Sequence, residues 1–307
     1  MRSFFVFFCV LLLSALTVKG QQLERKSLLV EDLKILSSDE MEGRKTGTTG
    51  SQKAADYIIS RYETIGLKPL SGGGYTFPFT FYNKFLRSNF DGVNILGFIE
   101  GSQYKDKFIV VSAHYDHMGA NGVEIYNGAD DNASGVAAML EIANFFNINP
   151  PLYSILFAAF DAEEMGLQGA KSFIYEGPLS KDQIVLNINL DMVSRGGEHN
   201  VLYTAGTHQY AFLKPIVKRV ASSFDFKLKF GHDRPKDKGA ENWVFASDHG
   251  YFHKKGIPFL YFGVEDHPDY HKPTDTFEKI DIKFYQEVVS FLAAVAEEMD
   301  RNLGKDQ

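Results

Sequence analysis

The fold is decided by residues 107–190, where KFIVVSAH (107–114), YSILFAAF (153–160) and IVLNINL (184–190) alternate with ASGVAAMLEIANFF (133–146) and GLQGAKSFIYE (166–176). The first three are short, nearly continuous apolar runs, the signature of strands buried on both faces. The two intervening stretches space their apolar residues as helices do. Strands that alternate with helices build a largely parallel sheet covered by helices on both faces, an α/β layer fold. Working outward, VNILGFIE (93–100) and IPFLYFG (257–263) read as further strands, and YTFPFTFYNKF (75–85) as an exposed or edge strand. LLVEDLKIL (28–36), QKAADYIISRYETI (52–65) and IDIKFYQEVVSFLAAVAEEM (280–299) read as helices, and SSDEMEGRKTGTTGS (37–51) as a polar loop. With no internal repeat, Pro/Ser-rich linker or composition break, residues 21–307 are expected to form one domain.

The first twenty residues stand apart. Arg2, the thirteen-residue run FFVFFCVLLLSAL (4–16) and small residues near Gly20 have the form of a secretory signal peptide. The run falls short of the roughly 20 residues that span a bilayer. The mature chain is therefore expected to be exported, periplasmic or extracellular, without a stable membrane anchor.

Composition narrows the chemistry. The 307 residues are 44% hydrophobic and 23% charged, a globular balance. The single cysteine, Cys9, lies in the signal run, which excludes a disulfide framework, a thiolate zinc site and an iron–sulfur cluster. Without Arg2 and Lys19 the mature net charge is −9, and no basic stretch suggests a nucleic-acid partner. No feature fixes an oligomeric state.

Three buried runs end in residues able to bind metal: His114 and Asp116 after the first, Asp161, Glu163 and Glu164 after the second, Asp191 after the third. In open α/β sheets, ligands bind beyond the carboxyl ends of the strands, so these groups should converge. GADDNASG (128–135) opens a helix, but a helix cap needs one carboxylate and this run supplies two. His271 lies in the turn-rich DYHKPTDT (269–276). There is no G-x-S-x-G elbow, HExxH or phosphate loop, and Ser247, Asp248 and His249 do not make a triad by adjacency.

Taken together in this order, HYDH (114–117), GADDNASG, DAEE (161–164), NLDM (189–192) and DYHKPTD (269–275) resemble the zinc aminopeptidases of peptidase family M28. EGRKTGTTGSQKAADYI (42–58) is similar to that family's opening segment. The resemblance implies a single-domain zinc-aminopeptidase-like fold and two Zn2+; ligation by histidine and carboxylate would also suit Co2+ or Mn2+. Its ligands would be His114, Asp130, Glu164, Asp191 and His271, with Asp130 as the bridge and a strained peptide bond at the following Asp131. It further implies Glu163 as general base, Asp116 as the residue that orients His114, and Tyr270 as oxyanion donor. His117, His249, His253 and His267 are expected to be structural. Phe245, Tyr251 and Tyr261 are either pocket-lining or core residues.

The expected activity is removal of amino-terminal residues from peptides that carry a free amine. A glutaminyl cyclase with one zinc, a carboxypeptidase of the same family and a catalytically silent binding protein are the competing readings. Asn132-Ala-Ser is formally a glycosylation sequon, but a glycan there would obstruct the proposed site.

Overall fold

The computed structural model describes residues 28–70 and 72–303; the expected signal peptide lies outside them. Helix α1 (28–36) leads through a tight turn over Asp39–Arg44 into α2 (Thr49–Ile65). Thr48 caps α2 by accepting from the Ser51 amide, and Gly66, at φ 89°, ends it in the left-handed conformation that glycine adopts freely. The chain continues through β1 (Lys68–Pro69), β2 (Thr76–Asn83), β3 (Ser88–Ile99) and β4 (Tyr104–His114). A small hairpin, β5 (Gly119–Asn121) with β6 (Glu124–Tyr126), precedes α3 (Gly135–Ile148), β7 (Tyr153–Phe160), α4 (Gln168–Glu176) and β8 (Ile184–Leu190). Then come β9 (Val201–Ala205), α5 (Leu213–Ala221), β10 (Lys227–Phe230), α6 (His249–Lys254), β11 (Phe259–Gly263) and α7 (Ile282–Asn302).

The main sheet runs β1-β3-β7-β4-β8-β11-β9-β10, with β2 paired to β3 at the edge. Its centre, β7-β4-β8-β11, is parallel, while β3 joins β7 and β9 joins β11 antiparallel. The sheet is thus mixed, largely parallel at the centre, and two cores alternate along its strands. Ile109, Val111, Ala113, Phe157 and Ile188 point to the face covered by α2, α3 and α7. Val110, Leu156, Ala158 and Phe160 point to the face closed by α4 and α6. Among the described residues no helix is long and apolar enough to cross a membrane.

The polar stretch 37–51 is more than a linker: it winds through a tight helical turn and starts α2. The helical reading of 133–146 is displaced, because Ala129–Ser134 forms an irregular turn and the regular helix begins at Gly135. The region between β8 and β11 adds two strands and two helices; α5 is strongly amphipathic, whereas β9, β10 and α6 are only four to six residues long.

Candidate metal centre

The parallel centre of the sheet delivers the first groups. His114 ends β4, Asp191 follows β8, and the 161–164 turn follows β7. The His114 Nε2 lies 3.3 Å from Asp191 Oδ1 and 3.4 Å from Asp131 Oδ1. On the other side of Asp131, His271 Nε2 approaches Oδ2 at 3.1 Å and Glu164 Oε2 at 3.3 Å. His117 Nδ1 comes within 2.9 Å of Glu164 Oε1 and 3.7 Å of Asp131 Oδ2. Two sets of donor atoms, His114/Asp131/Asp191 and His117/Asp131/Glu164, are each close enough to share an ion.

The carboxylate between these sets is therefore Asp131, which corrects the expected bridge at Asp130 by one residue. Asp130 is fully buried and faces the other way. Its Oδ1 accepts from the Ser194 amide at 2.8 Å and the Ser194 hydroxyl at 2.6 Å, and its Oδ2 lies 3.2 Å from His267. The peptide bond between Asp131 and Asn132 is cis. His117 is a second correction: it belongs to the donor cluster, not to the surrounding structure. Nothing in a run of two aspartates tells which one turns inward; the histidine three residues beyond His114 was the available signal for His117.

The loop carrying Asp131 is held by contacts from distant parts of the chain. Gly128 sits at φ 52°, where a side chain would collide with the Asp131 carbonyl and the His117 ring. Asp275 accepts the Asp130 and Asp131 amides at 3.0 and 3.1 Å. Asn132 donates to the Leu190 carbonyl and accepts from the Gly135 and Met192 amides. Its side chain is fully buried and its amide nitrogen is engaged with Leu190, so the sequon is closed to a glycan. Below the loop, Arg44 is 1% exposed and donates to the carbonyls of Tyr115 (2.8 Å), Leu36 and Asn127 (2.6 Å each) and Gly128 (3.0 Å). Burial lowers the Arg44 guanidinium to about 10, opposed by Asp131, Asp275 and Asp116, so it stays charged at neutral pH. The turn-rich segment around His271 is tied down in turn by Arg195, which pairs with Asp269 at 2.8 Å.

Asp116 acts on more than His114. Its backbone carbonyl meets His114 Nδ1 at 3.1 Å, whereas its carboxylate oxygen is 3.7 Å away. The carboxylate instead accepts the amides of Glu163 and Glu164, at 3.0 and 3.3 Å, and so sets the turn that aims both side chains. Asp161 is not a site residue: it accepts from Val93, Thr46 and Ala162 and locks the strand end. Ala162, Met192 and His271 all adopt positive φ (57°, 58° and 53°), conformations that cost a non-glycine residue about 1–3 kcal/mol and cluster at functional sites.

Electrostatically the cluster calls for positive charge. Burial pushes the His114 imidazole down, but Asp191, Glu163 and Asp131 outweigh it and hold it well above the usual histidine range. Burial also lowers His271, and Asp131 and Glu164 reverse this, raising it to about 10. Asp131, despite complete burial, is held well below the usual carboxylate range by His117, His114 and His271. Glu163 behaves oppositely: burial, then repulsion from Asp191, Asp248 and Glu164, raises it well above its ordinary value. Asp131 Oδ2 is buried without a well-aligned hydrogen bond among the described residues, and His117 turns its Nδ1 towards it and Glu164. Imidazole and carboxylate lone pairs that converge in this way suit a divalent ion, and the borderline donor set suits zinc.

The resulting pocket, about 80 Å3, is lined by these groups together with Met192, Trp243, Ala246, Tyr261, Val264, Asp266 and Tyr270. Tyr270 stacks on His271 with ring centres 3.9 Å apart. Behind the pocket lies the fully buried Asp248, its carboxyl raised to about 7 by burial.

Fold and site define a metal-binding α/β protein whose donors sit at the carboxyl edge of a mixed sheet. The chain belongs to peptidase family M28, whose sequence model matches residues 94–296. Aminopeptidase YwaD of Bacillus subtilis is 32% identical over 220 residues, covering 67% of this chain and 44% of that protein. A probable zinc metalloprotease of Pyrenophora tritici-repentis is 34% identical over 159 residues, or 48% of this chain and 34% of that one. The BOS complex subunit NCLN of Gallus gallus is 27% identical over 260 residues, covering 78% of this chain and 44% of the relative. The chain thus spans less than half the length of these curated relatives. Among solved structures, a zinc aminopeptidase from Bacillus subtilis superposes with a TM-score of 0.69 at 20% identity, covering 89% of this chain and 94% of the other. A Bacteroides thetaiotaomicron glutaminyl cyclase bound to N-acetylhistamine superposes at 0.67 with 19% identity, covering 88% and 96%. Both share the fold, and the choice between their chemistries rests on the residues of this chain.

Proposed function

We propose that the protein is an exported zinc-dependent aminopeptidase that removes single residues from peptides bearing a free amine. The observation that carries this reading is the placement of Asp131, whose two oxygens face separate donor sets inside one acidic pocket. His114 and Asp191 would hold one ion, and Glu164 with His271 and His117 the other, with Asp131 shared. Bound there, zinc supplies Lewis acidity and a water acidic enough to ionise near neutral pH.

The chain's own residues do the rest. Glu163, whose buried carboxyl holds a proton more readily than an exposed one, accepts the proton of the attacking water and returns it to the departing amine. Asp116 keeps Glu163 in reach by fixing its backbone amide. Tyr270, at the pocket wall, would supply a phenol to the oxygen on which charge develops. Five carboxylates line the pocket (Asp131, Glu163, Glu164, Asp191 and Asp266), and no lysine or arginine does. That balance complements a substrate ammonium and opposes a terminal carboxylate, which favours an aminopeptidase over a carboxypeptidase.

The test combines metal analysis with three substrates: a free aminoacyl anilide, its amino-blocked form and a glutaminyl peptide. Two zinc ions per chain and cleavage of the free anilide alone support the reading. One zinc ion with pyroglutamate formation would replace it with a cyclase.

A further inference from the structure

A second pocket, about 350 Å3, opens beside the acidic one and is walled by Leu167, Phe245, Gly250, Tyr251 and Lys254. Its walls continue those of the catalytic pocket. Phe245 precedes Ala246, a lining residue of the acidic pocket. Leu167 closes the turn begun at Glu163, and its amide donates to the Glu163 carbonyl at 2.8 Å. Phe245 leaves 58% of its surface exposed at this junction. An isolated exposed aromatic needs no explanation, but one that walls an apolar recess at the mouth of an active site marks a ligand surface.

The charge of this pocket is opposite to that of its neighbour. Lys254 stands at its rim, Nζ 5.5 Å from the centre of the Tyr251 ring, with no carboxylate paired to it among the described residues. A short peptide carries an ammonium at one end and a carboxylate at the other. The acidic pocket complements the first and the lysine-rimmed pocket the second. Direction follows from the chemistry: Glu163 must reach the departing nitrogen, which belongs to the second residue of the substrate. That residue therefore lies on the Glu163 side, along which the turn runs to Leu167.

Building on the aminopeptidase reading, we propose that this pocket binds the residue after the scissile bond. It takes an apolar side chain against Leu167, Phe245 and Tyr251, and the terminal carboxylate of a dipeptide at Lys254. The substrate class is thus short peptides, dipeptides above all, with an apolar second residue.

The experiment compares kcat/KM of the zinc enzyme for Leu-Phe, Leu-Gly and Leu-Phe amide. Leu-Phe is expected to exceed Leu-Gly by about tenfold or more, the discrimination an apolar pocket provides, and to exceed its amide by a comparable factor. Phe245→Ala should collapse the first ratio. Lys254→Ala should collapse the second through KM, and Lys254→Arg should restore it. Equal rates on Leu-Phe and Leu-Gly, or ratios that neither variant alters, would overturn the assignment while leaving aminopeptidase activity in place. If leucine is released from none of the three substrates nor from leucine anilide, the aminopeptidase reading itself fails and this inference falls with it.

Discussion

The two kinds of segment that meet at the site are held by different forces. His114 and Asp191 stand at the ends of β4 and β8, adjacent parallel strands whose ladder fixes their spacing, with Ser112, Asn187 and Asn189 hydrogen-bonded between them in the sheet interior. Asp131 stands on a loop with no ladder, and that loop is positioned by side chains more than sixty residues away in sequence: Arg44, Asp275 and Ser194. A strand end inherits its place from the sheet, whereas a loop residue must be placed by a polar network assembled from the whole fold. The two adjacent aspartates of that loop give the sharpest test.

Asp131→Asn should lower turnover by about a thousandfold or more, since members of a unit that works together fail together, and should reduce bound zinc. Asp130→Asn should keep zinc and most turnover. Zinc content by elemental analysis, measured beside kcat, separates the two; equal losses in both variants would mean that the distinction between the inward and outward carboxylates is wrong.

Glu163→Gln probes the strand side. It removes the proton acceptor and leaves every donor atom in place, so zinc should be retained while kcat falls by about 10²–10⁴-fold, the range of general-base contributions. Retained turnover in the zinc-loaded variant would remove Glu163 from the proton transfer.

The same contrast explains what the amino-acid sequence reveals by itself. Strand-borne groups are legible because an apolar run of five to eight residues ending in His114, Glu163–Glu164 or Asp191 is a local pattern, and sheet geometry carries the pattern to one edge. The loop is not legible in this way. Asp130 and Asp131 have identical chemistry, and the choice between them is made by Ser194 and His267 on one side and by three imidazoles on the other. Arg44 lies in a polar stretch with the composition of a solvated linker; only its burial under the loop shows that it is an anchor. The β9–α6 region escapes a local reading for another reason. Its strands and α6 are too short, at four to six residues, to carry a periodic pattern, whereas the nine-residue α5 does carry one, burying Leu213, Ile216 and Val217 on one face.

Arg44→Met removes the loop's anchor. Four carbonyls lose their donor, and Asp131 and Asp275 lose a buried countercharge, a disruption of the kind that costs about 3–5 kcal/mol. Urea unfolding should show this loss together with weaker zinc retention. Arg44→Lys, which keeps the charge but not the planar fork, should fall between the two. Full zinc binding in Arg44→Met would mean that the loop places Asp131 without help from the amino-terminal segment.

The smallest expected effect lies on the strand-anchored side, at His249, where burial dominates the surroundings. Its Nε2 donates to the Trp243 carbonyl at 2.7 Å, and its ring packs 4.7 Å from Phe259 on β11. Burial pushes this imidazole down to about 3, against about 6.5 in an unfolded chain. Because the folded value is the lower one, the unfolded chain binds the proton first, so stability is fully present above about pH 6.5 and is lost as pH falls through the window towards 3. Between pH 6.5 and 5 the loss amounts to at most about 2 kcal/mol, from the slope of 1.36 kcal/mol per pH unit. His249→Gln keeps a donor for the Trp243 carbonyl but does not titrate. The difference between wild-type and variant urea midpoints, measured at pH 7 and pH 5 with chelator present in both, cancels the protonation of the metal-binding groups. The variant should be less sensitive to acid than the wild type by that amount. Parallel pH profiles would show that this histidine is protonated in the folded protein and that the packing beneath β11 admits charge.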